Sequence, residues 1–263
     1  MSKYNKDLVC SKITNRHIGS RLIFLDEVDS TNKYALSIID QKPCVSGTIV
    51  VADSQYAGKG RLDRSWYSPK GVNLYLSVIL IPDIKTEEVN ILTFVSSVAT
   101  VNTLLEYGLS PEIKWPNDVQ VNRKKISGVL TEINMEGNKP GHVVVGIGIN
   151  LNVDIDSLSE GDVDNLATSV YIEQGKKVNR NEFLIKLLNN LDECYECYIK
   201  HGKEFIYNLW ESKWNGKGKT VSVNTEDDQF TGRCVGLDKD GFMLVHNQND
   251  ETVRIVSGDV VYI

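Results

Sequence analysis

Three cations, Lys59, Arg61 and Arg64, fall within six residues of the stretch SQYAGKGRLDRSWYSP, residues 54–69. Like charges this close repel unless an anion sits among them or water solvates each one. The flanking Gly58 and Gly60 admit backbone with positive φ and let a ligand approach amide N–H groups. Phosphate or carboxylate oxygens are what such a loop would neutralise. The spacing is not that of a nucleotide P-loop, because G-x-x-x-x-G-K-[ST] is absent. A solvated surface loop is the plainer reading.

A second segment, KWPNDVQVNRKKISG (114–128), combines charge with a turn signal. Pro116 holds Trp115 extended, and Asn117-Asp118 then turns with its side chains free to face inward. A short strand and a turn at VNRK would bring Lys125 back beside Asp118. An ordinary hairpin ending in a lysine fits as well. A third segment, GIGIN (146–150), alternates glycine and isoleucine. Glycine inside a strand marks close approach of a ligand, a helix or another backbone.

These segments need rigid elements to hold them. Ser30 reads as the N-cap of an amphipathic helix, TNKYALSIID. TIVVAD (48–53) and VNLYLSVIL (72–80) read as strands flanking the basic loop. Residues 86–107 carry Val89, Leu92, Val95, Val98, Val101 and Leu105 at helical spacing, the pattern of a long packing helix. Two more strands, 125–135 and 142–150, precede helical residues 181–214, where Trp210 and Trp214 should share one face. Hairpin-like pairs outnumber βαβ units, which predicts a mixed sheet with helices on one face. After Asn215 the chain changes to short strands, with turns at Asp240-Gly241 and 247–250. The expected division is 1–215 for the main domain and 216–263 for a small β-barrel.

The 263 residues carry a net charge of −6, so a chain-wide positive field for nucleic acid is absent. No run of 18 apolar residues suggests a membrane span, and the N-terminus lacks the apolar core of a secretory signal. Five cysteines at scattered spacings fit free thiols in a reducing cytoplasm. Cys194, Cys197 and His201 would share a helix face, but no fourth ligand accompanies them; no metal site is expected. His17, His142 and His246 show no partner pattern.

Taken in order, S-T-N at 30–32, G-K-G-R-x-x-R-x-W at 58–66, K-W-P-N-D at 114–118 followed by K-x-x-G, G-I-G-I-N, and a β-rich tail resemble biotin–protein ligases. The resemblance runs from residue 24 to 263. It implies an α+β fold: a mixed, class II synthetase-like sheet packed with helices, plus a C-terminal SH3-like barrel. It departs at Lys59, where arginine is usual, and at Leu62-Asp63. Only residues 1–23 precede the first similar segment, so the expected class is the monofunctional one, without specific DNA binding.

The resemblance implies a two-step enzyme. Biotin carboxylate attacks the α-phosphate of ATP, giving biotinyl-5′-AMP; a lysine of a biotin carboxyl carrier domain, of acetyl-CoA or pyruvate carboxylase, then takes the biotin. By the same resemblance Arg61 and Lys125 grip the carboxylate and α-phosphate, and Asp118 orients Lys125 or the acceptor lysine. Ser30, Thr31, Asn32 and Gln55 face the ureido ring, with Gly58, Lys59, Gly60, Gly128 and Gly146 completing the biotin site. Arg64, Trp66, Asn117 and Asn150 join the ATP site, and magnesium rides on the nucleotide. A homodimer is compatible with free sheet edges. Two alternatives stay open: a lipoate ligase, whose substrate needs no convergent polar groups at its ring, and a binding module that kept the fold.

Overall fold

The computed structural model describes residues 4–39, 44–62, 64–160, 167–225 and 229–263. In chain order the elements are α1 (Lys6–Lys12), β1 (Arg21–Leu25), α2 (Thr31–Ile39), β2 (Thr48–Ala52), β3 (Leu74–Leu80), α3 (Asn90–Glu106), β4 (Pro111–Lys114), β5 (Asp118–Val121), β6 (Lys124–Glu136), β7 (Lys139–Ile149), α4 (Ile155–Glu160), α5 (Val170–Gln174), α6 (Arg180–His201) and α7 (Lys203–Glu211), then β8 (Thr220–Asn224), β9 (Gln229–Leu237), β10 (Met243–Asn247), β11 (Thr252–Ile255) and β12 (Asp259–Tyr262). Seven strands form one sheet in the order β1-β2-β3-β7-β6-β5-β4, and five form a second in the order β11-β10-β9-β8-β12. In the first sheet only the β1–β2 pair is parallel. That is the expected mixed α+β architecture with a small antiparallel C-terminal sheet.

Alternation along the strands separates two cores. Ile49 and Val51 of β2 join Leu76, Val145 and Ile147 in the large core with α3, α6 and α7. Val50, Ile79 and Val144 point to the other face, where Ala35 of α2 covers them. The expectation of helices on one face only is therefore corrected: α2 holds the opposite face. Asp40, at the end of the predicted α2 segment, lies outside the described residues.

α3 is buried almost all round, because it runs between the sheet and the α6–α7 pair. Its serines and threonines tolerate burial by donating backward along the helix: Ser97 Oγ to Thr93 O, Thr100 Oγ1 to Ser96 O and Thr103 Oγ1 to Ala99 O, each at 2.8 Å. The predicted apolar stripe needs one change. Leu104 is fully buried and Leu105 is exposed, since the stripe drifts as 3.6 residues per turn accumulate. Residues Thr86–Glu106 are long and apolar enough to cross a membrane, but most of that surface is buried against the rest of the chain.

The predicted helix 181–214 is broken. α6 stops at Gly202, whose φ of 78° suits glycine, and α7 starts directly after it. Trp214 consequently lies beyond α7, in a bridge with Ile113 of β4, its ring 5.5 Å from that of Trp210. Arg180, at the start of α6, is buried against the Asp53 carboxylate and the Asn73 carbonyl. This contact fixes the point where β2 hands over to the basic loop.

The C-terminal sheet is docked through tryptophans. Trp214 Nε1 donates to Tyr262 Oη at 2.8 Å, and Trp115 Nε1 to Gly241 O at 3.3 Å. Gly241 has a φ of 82°, and a Cβ there would stand 3.0 Å from the Phe94 ring of α3. Phe94 in turn stacks on Trp210 at 4.4 Å and 12°. Trp210, fully buried, thus links α3, α7 and the docking seam. Trp210→Ala should lower unfolding free energy by about 3–5 kcal/mol, read from urea denaturation; a loss below about 1 kcal/mol would deny it that role.

Candidate active site

The basic loop is a small closed hairpin. Gly60 N–H donates to Arg64 O at 2.7 Å, Trp66 N–H to Gly58 O at 2.9 Å and Gln55 N–H to Ser68 O at 3.3 Å. Neither Gly58 nor Gly60 takes a positive φ; Leu62 does, at 53°. The glycines serve a different need. A Cβ on Gly58 would meet Trp66 O at 2.6 Å and Ser68 Oγ at 2.7 Å, so Gly58 lets the two legs close. Asp63 lies outside the described residues.

The second segment folds as its turn signals suggest. β4 and β5 pair Lys114 with Asp118. The β5–β6 turn places Asn122 and Arg123 at φ of 51° and 63°, the two left-handed residues of a tight hairpin. A register shift between Val119 and Gln120 then returns Lys125 to Asp118. Their Nζ–Oδ1 separation is 2.7 Å, an ion pair that falls short of hydrogen-bond alignment. The same ammonium lies 5.3 Å from the centre of the Trp66 ring.

Arg61 reaches the neighbouring residue: its Nη1 donates to Asn117 Oδ1 at 3.4 Å. Asn117 is itself fixed, its Nδ2 donating to Val129 O at 2.6 Å. Among the described residues no carboxylate stands within ion-pair distance of Arg61. Burial pushes its guanidinium down from its ordinary value, while Asp118 and Asp259 oppose the shift from farther away. A half-buried cation with no carboxylate of its own is a seat for an anion.

The cavity between these walls measures about 530 Å³. Of the sequence-predicted residues, Ser30, Thr31, Asn32, Gln55, Lys59, Gly60, Arg61, Arg64, Trp66, Asn117, Asp118, Lys125, Gly128, Gly146 and Asn150 all line it; Gly58 does not, being enclosed in its hairpin. Several are already engaged by the scaffold. Thr31 donates through N–H (2.8 Å) and Oγ1 (3.2 Å) to Gln55 Oε1, and Gln55 Nε2 donates to Ser68 Oγ at 2.9 Å. Asn32 donates to Glu132 Oε2 at 2.7 Å and accepts from Ser77 Oγ at 2.6 Å. Asn150 is held by Asn73 and the Thr168 carbonyl. Arg64 forks onto Asp259 of β12, with Nη1–Oδ1 at 3.1 Å.

Two features escaped sequence reasoning. The first is Gly148, the register partner of Gly128 across β6–β7. The Trp66 indole lies on this glycine pair: a Cβ on Gly128 would stand 3.2 Å from it, and one on Gly148 only 2.5 Å. GIGIN carried the signal, but only Gly146 was singled out; a Cβ there would collide with the Asn32 amide. The second is the share of the C-terminal domain, whose Gly258, Asp259 and Val260 line the same cavity. No local pattern near residue 259 announces this.

Among the described residues no three His, Cys, Asp or Glu side chains gather as a metal site. Cys194 is buried, and burial raises its thiol to about 12.

Residues 24–150 match the biotin/lipoate A/B protein ligase family, and residues 217–262 the biotin protein ligase C terminal domain. The chain is 35% identical to the bifunctional ligase/repressor BirA of Bacillus spizizenii over 92% of this chain and 74% of that one. It is 33% identical to biotin–[acetyl-CoA-carboxylase] ligase of Paracoccus denitrificans, over 84% of this chain and 92% of that one. Among solved structures, biotin protein ligase from Aquifex aeolicus in complex with biotin and ATP superposes with a TM-score of 0.76 at 32% identity, covering 93% of this chain and 99% of that one.

The glycine platform makes a direct prediction. Gly148→Ala should lift the indole off the sheet, so that the Trp66 fluorescence, isolated by subtracting a Trp66→Phe variant, moves to longer wavelength. An unchanged Trp66 spectrum would show that the ring does not rest there.

Proposed function

This chain belongs to the biotin protein ligase family, and from that premise we propose which of its side chains carry each step. The enzyme activates biotin with ATP to biotinyl-5′-AMP and transfers the biotinyl group to a biotin carboxyl carrier domain. We take residues 1–215 as the catalytic domain and 216–263 as the C-terminal one, a division supported by the change of sheet beyond Trp214. The Paracoccus relative supports acetyl-CoA carboxylase as one owner of the acceptor lysine. Five free cysteines support a reducing, cytoplasmic setting.

The observation that carries the site assignment is the convergence of two cations on one hairpin corner. Arg61 arrives from the basic loop onto Asn117, and Lys125 from β6 onto Asp118. Both substrates are anions, and negative charge grows on the α-phosphate as the carboxylate attacks. Cations already held in place meet that charge without reorganising. Lys125 is braced on one side by Asp118 and on another by the Trp66 face, so its ammonium points where this corner directs it. Arg61, with no carboxylate partner, takes the biotin carboxylate and the α-phosphate oxygens.

Biotin's ureido ring belongs at the Ser30–Thr31–Gln55 end. Gln55 Oε1 already fixes Thr31, so these groups are pre-oriented. Asn32 and Asn150, engaged on both sides, position their neighbours more than they contact substrate. Trp66 on its glycine platform offers a flat apolar face for adenine stacking. Arg64 serves the outer phosphates, and magnesium, arriving on the nucleotide, draws its ligands from phosphates and water. In the second step Asp118 accepts a proton from the acceptor lysine, whose neutral amine then attacks the mixed anhydride and expels AMP.

Lys125→Ala should slow biotin-dependent exchange of pyrophosphate into ATP by about 100- to 1,000-fold, with biotin affinity changed far less. Normal exchange at saturating biotin with weakened biotin binding would make Lys125 a ground-state biotin contact instead.

A further inference from the structure

Asp259 opens β12 and faces the tip of the basic loop from a residue 195 positions away in the chain. Both guanidinium end nitrogens of Arg64 engage both of its oxygens. The two partners stand on unequal supports. β12 is paired along its length with β8, and the sheet behind it is tied down by the Trp214–Tyr262 and Trp115–Gly241 contacts. Arg64 sits on an exposed loop tip, its side chain 65% accessible against 36% for Asp259. The negative field of Asp259 also reaches Arg61. A carboxylate taking an arginine fork offers the same two-oxygen edge as a phosphate.

We propose that Asp259 is the resident counter-ion of Arg64 while no outer phosphates are bound, and that a nucleoside triphosphate must take Arg64 away from it. This rests on the assignment of Arg64 to the outer phosphates. Asp259 then does two things. It lowers affinity for triphosphate by the strength of the pair it gives up. It also tells triphosphate from monophosphate, because AMP has no group that reaches Arg64 and leaves the pair intact. When pyrophosphate departs, Asp259 recaptures Arg64 and opposes rebinding. The C-terminal domain thereby becomes a positioning and specificity element of the nucleotide site.

The test is equilibrium binding of magnesium α,β-methylene-ATP, which cannot be adenylated onto biotin, and of AMP, to the full chain by calorimetry. An exposed ion pair is a modest competitor, so Asp259→Asn should tighten the triphosphate by roughly two- to fivefold and leave AMP unchanged. Arg64→Ala should weaken the triphosphate, and adding Asp259→Asn to it should then change nothing. If Arg64→Ala weakens the triphosphate but Asp259→Asn fails to tighten it, the counter-ion role is wrong while Arg64 keeps its assignment. If Arg64→Ala binds triphosphate like the wild type, the assignment of Arg64 fails and takes this proposal with it. If Asp259→Asn weakens both nucleotides and lowers the melting temperature, Asp259 is a docking residue and the proposal is overturned.

Discussion

The site depends on keeping Arg61 half-buried with no carboxylate beside it. A desolvated guanidinium gains most from any anion that arrives, and an acid placed beside it would cancel that gain. Everything around it serves this condition. The closed legs of the basic hairpin present Arg61 at their tip, and Asn117 offers a neutral amide oxygen at 3.4 Å where an acid would have neutralised it. The nearby acid, Asp118, is turned to Lys125. The neutral residue holds the cation meant for substrate, and the acidic residue braces the cation that meets charge growth.

Glycine gives this arrangement its shape, through missing volume more than through unusual torsions. Gly58 lets the hairpin legs touch, Gly146 admits the Asn32 amide, and Gly128 with Gly148 seat the Trp66 ring. That ring in turn forms one wall for the Lys125 ammonium. A methyl group at any of these positions would press on a different functional side chain. The β6–β7 pair is thus both the centre of the sheet and the floor of the site.

Much of this was legible in the sequence. The turn at Asn122-Arg123 and the spacing from Asp118 to Lys125 foretold their meeting, because local turn chemistry fixes where a short hairpin returns. The strands flanking the basic loop were legible from their apolar runs. The break at Gly202 was missed, since the apolar spacing continues across it and one glycine is a weak stop signal. The placement of α2 on the second face was missed because an amphipathic pattern says that a helix is buried, not on which side. The share of Asp259 in the cavity was beyond reach: a long-range docking of two domains, made by Trp115, Trp214 and Tyr262, leaves no mark near residue 259 itself.

The central claim is that Arg61 and Lys125 act as one unit on one developing charge. The measurement that tests it most directly is a double-mutant cycle on biotin-dependent pyrophosphate exchange, with Arg61→Met, Lys125→Met and the pair. Groups that act as a unit are strongly non-additive. The account predicts that either single change removes most of the rate and that the double variant is little worse than the poorer single one. Losses that simply multiply would mean that the two cations work at separate places, and the shared corner at Asn117-Asp118 would not be the catalytic centre.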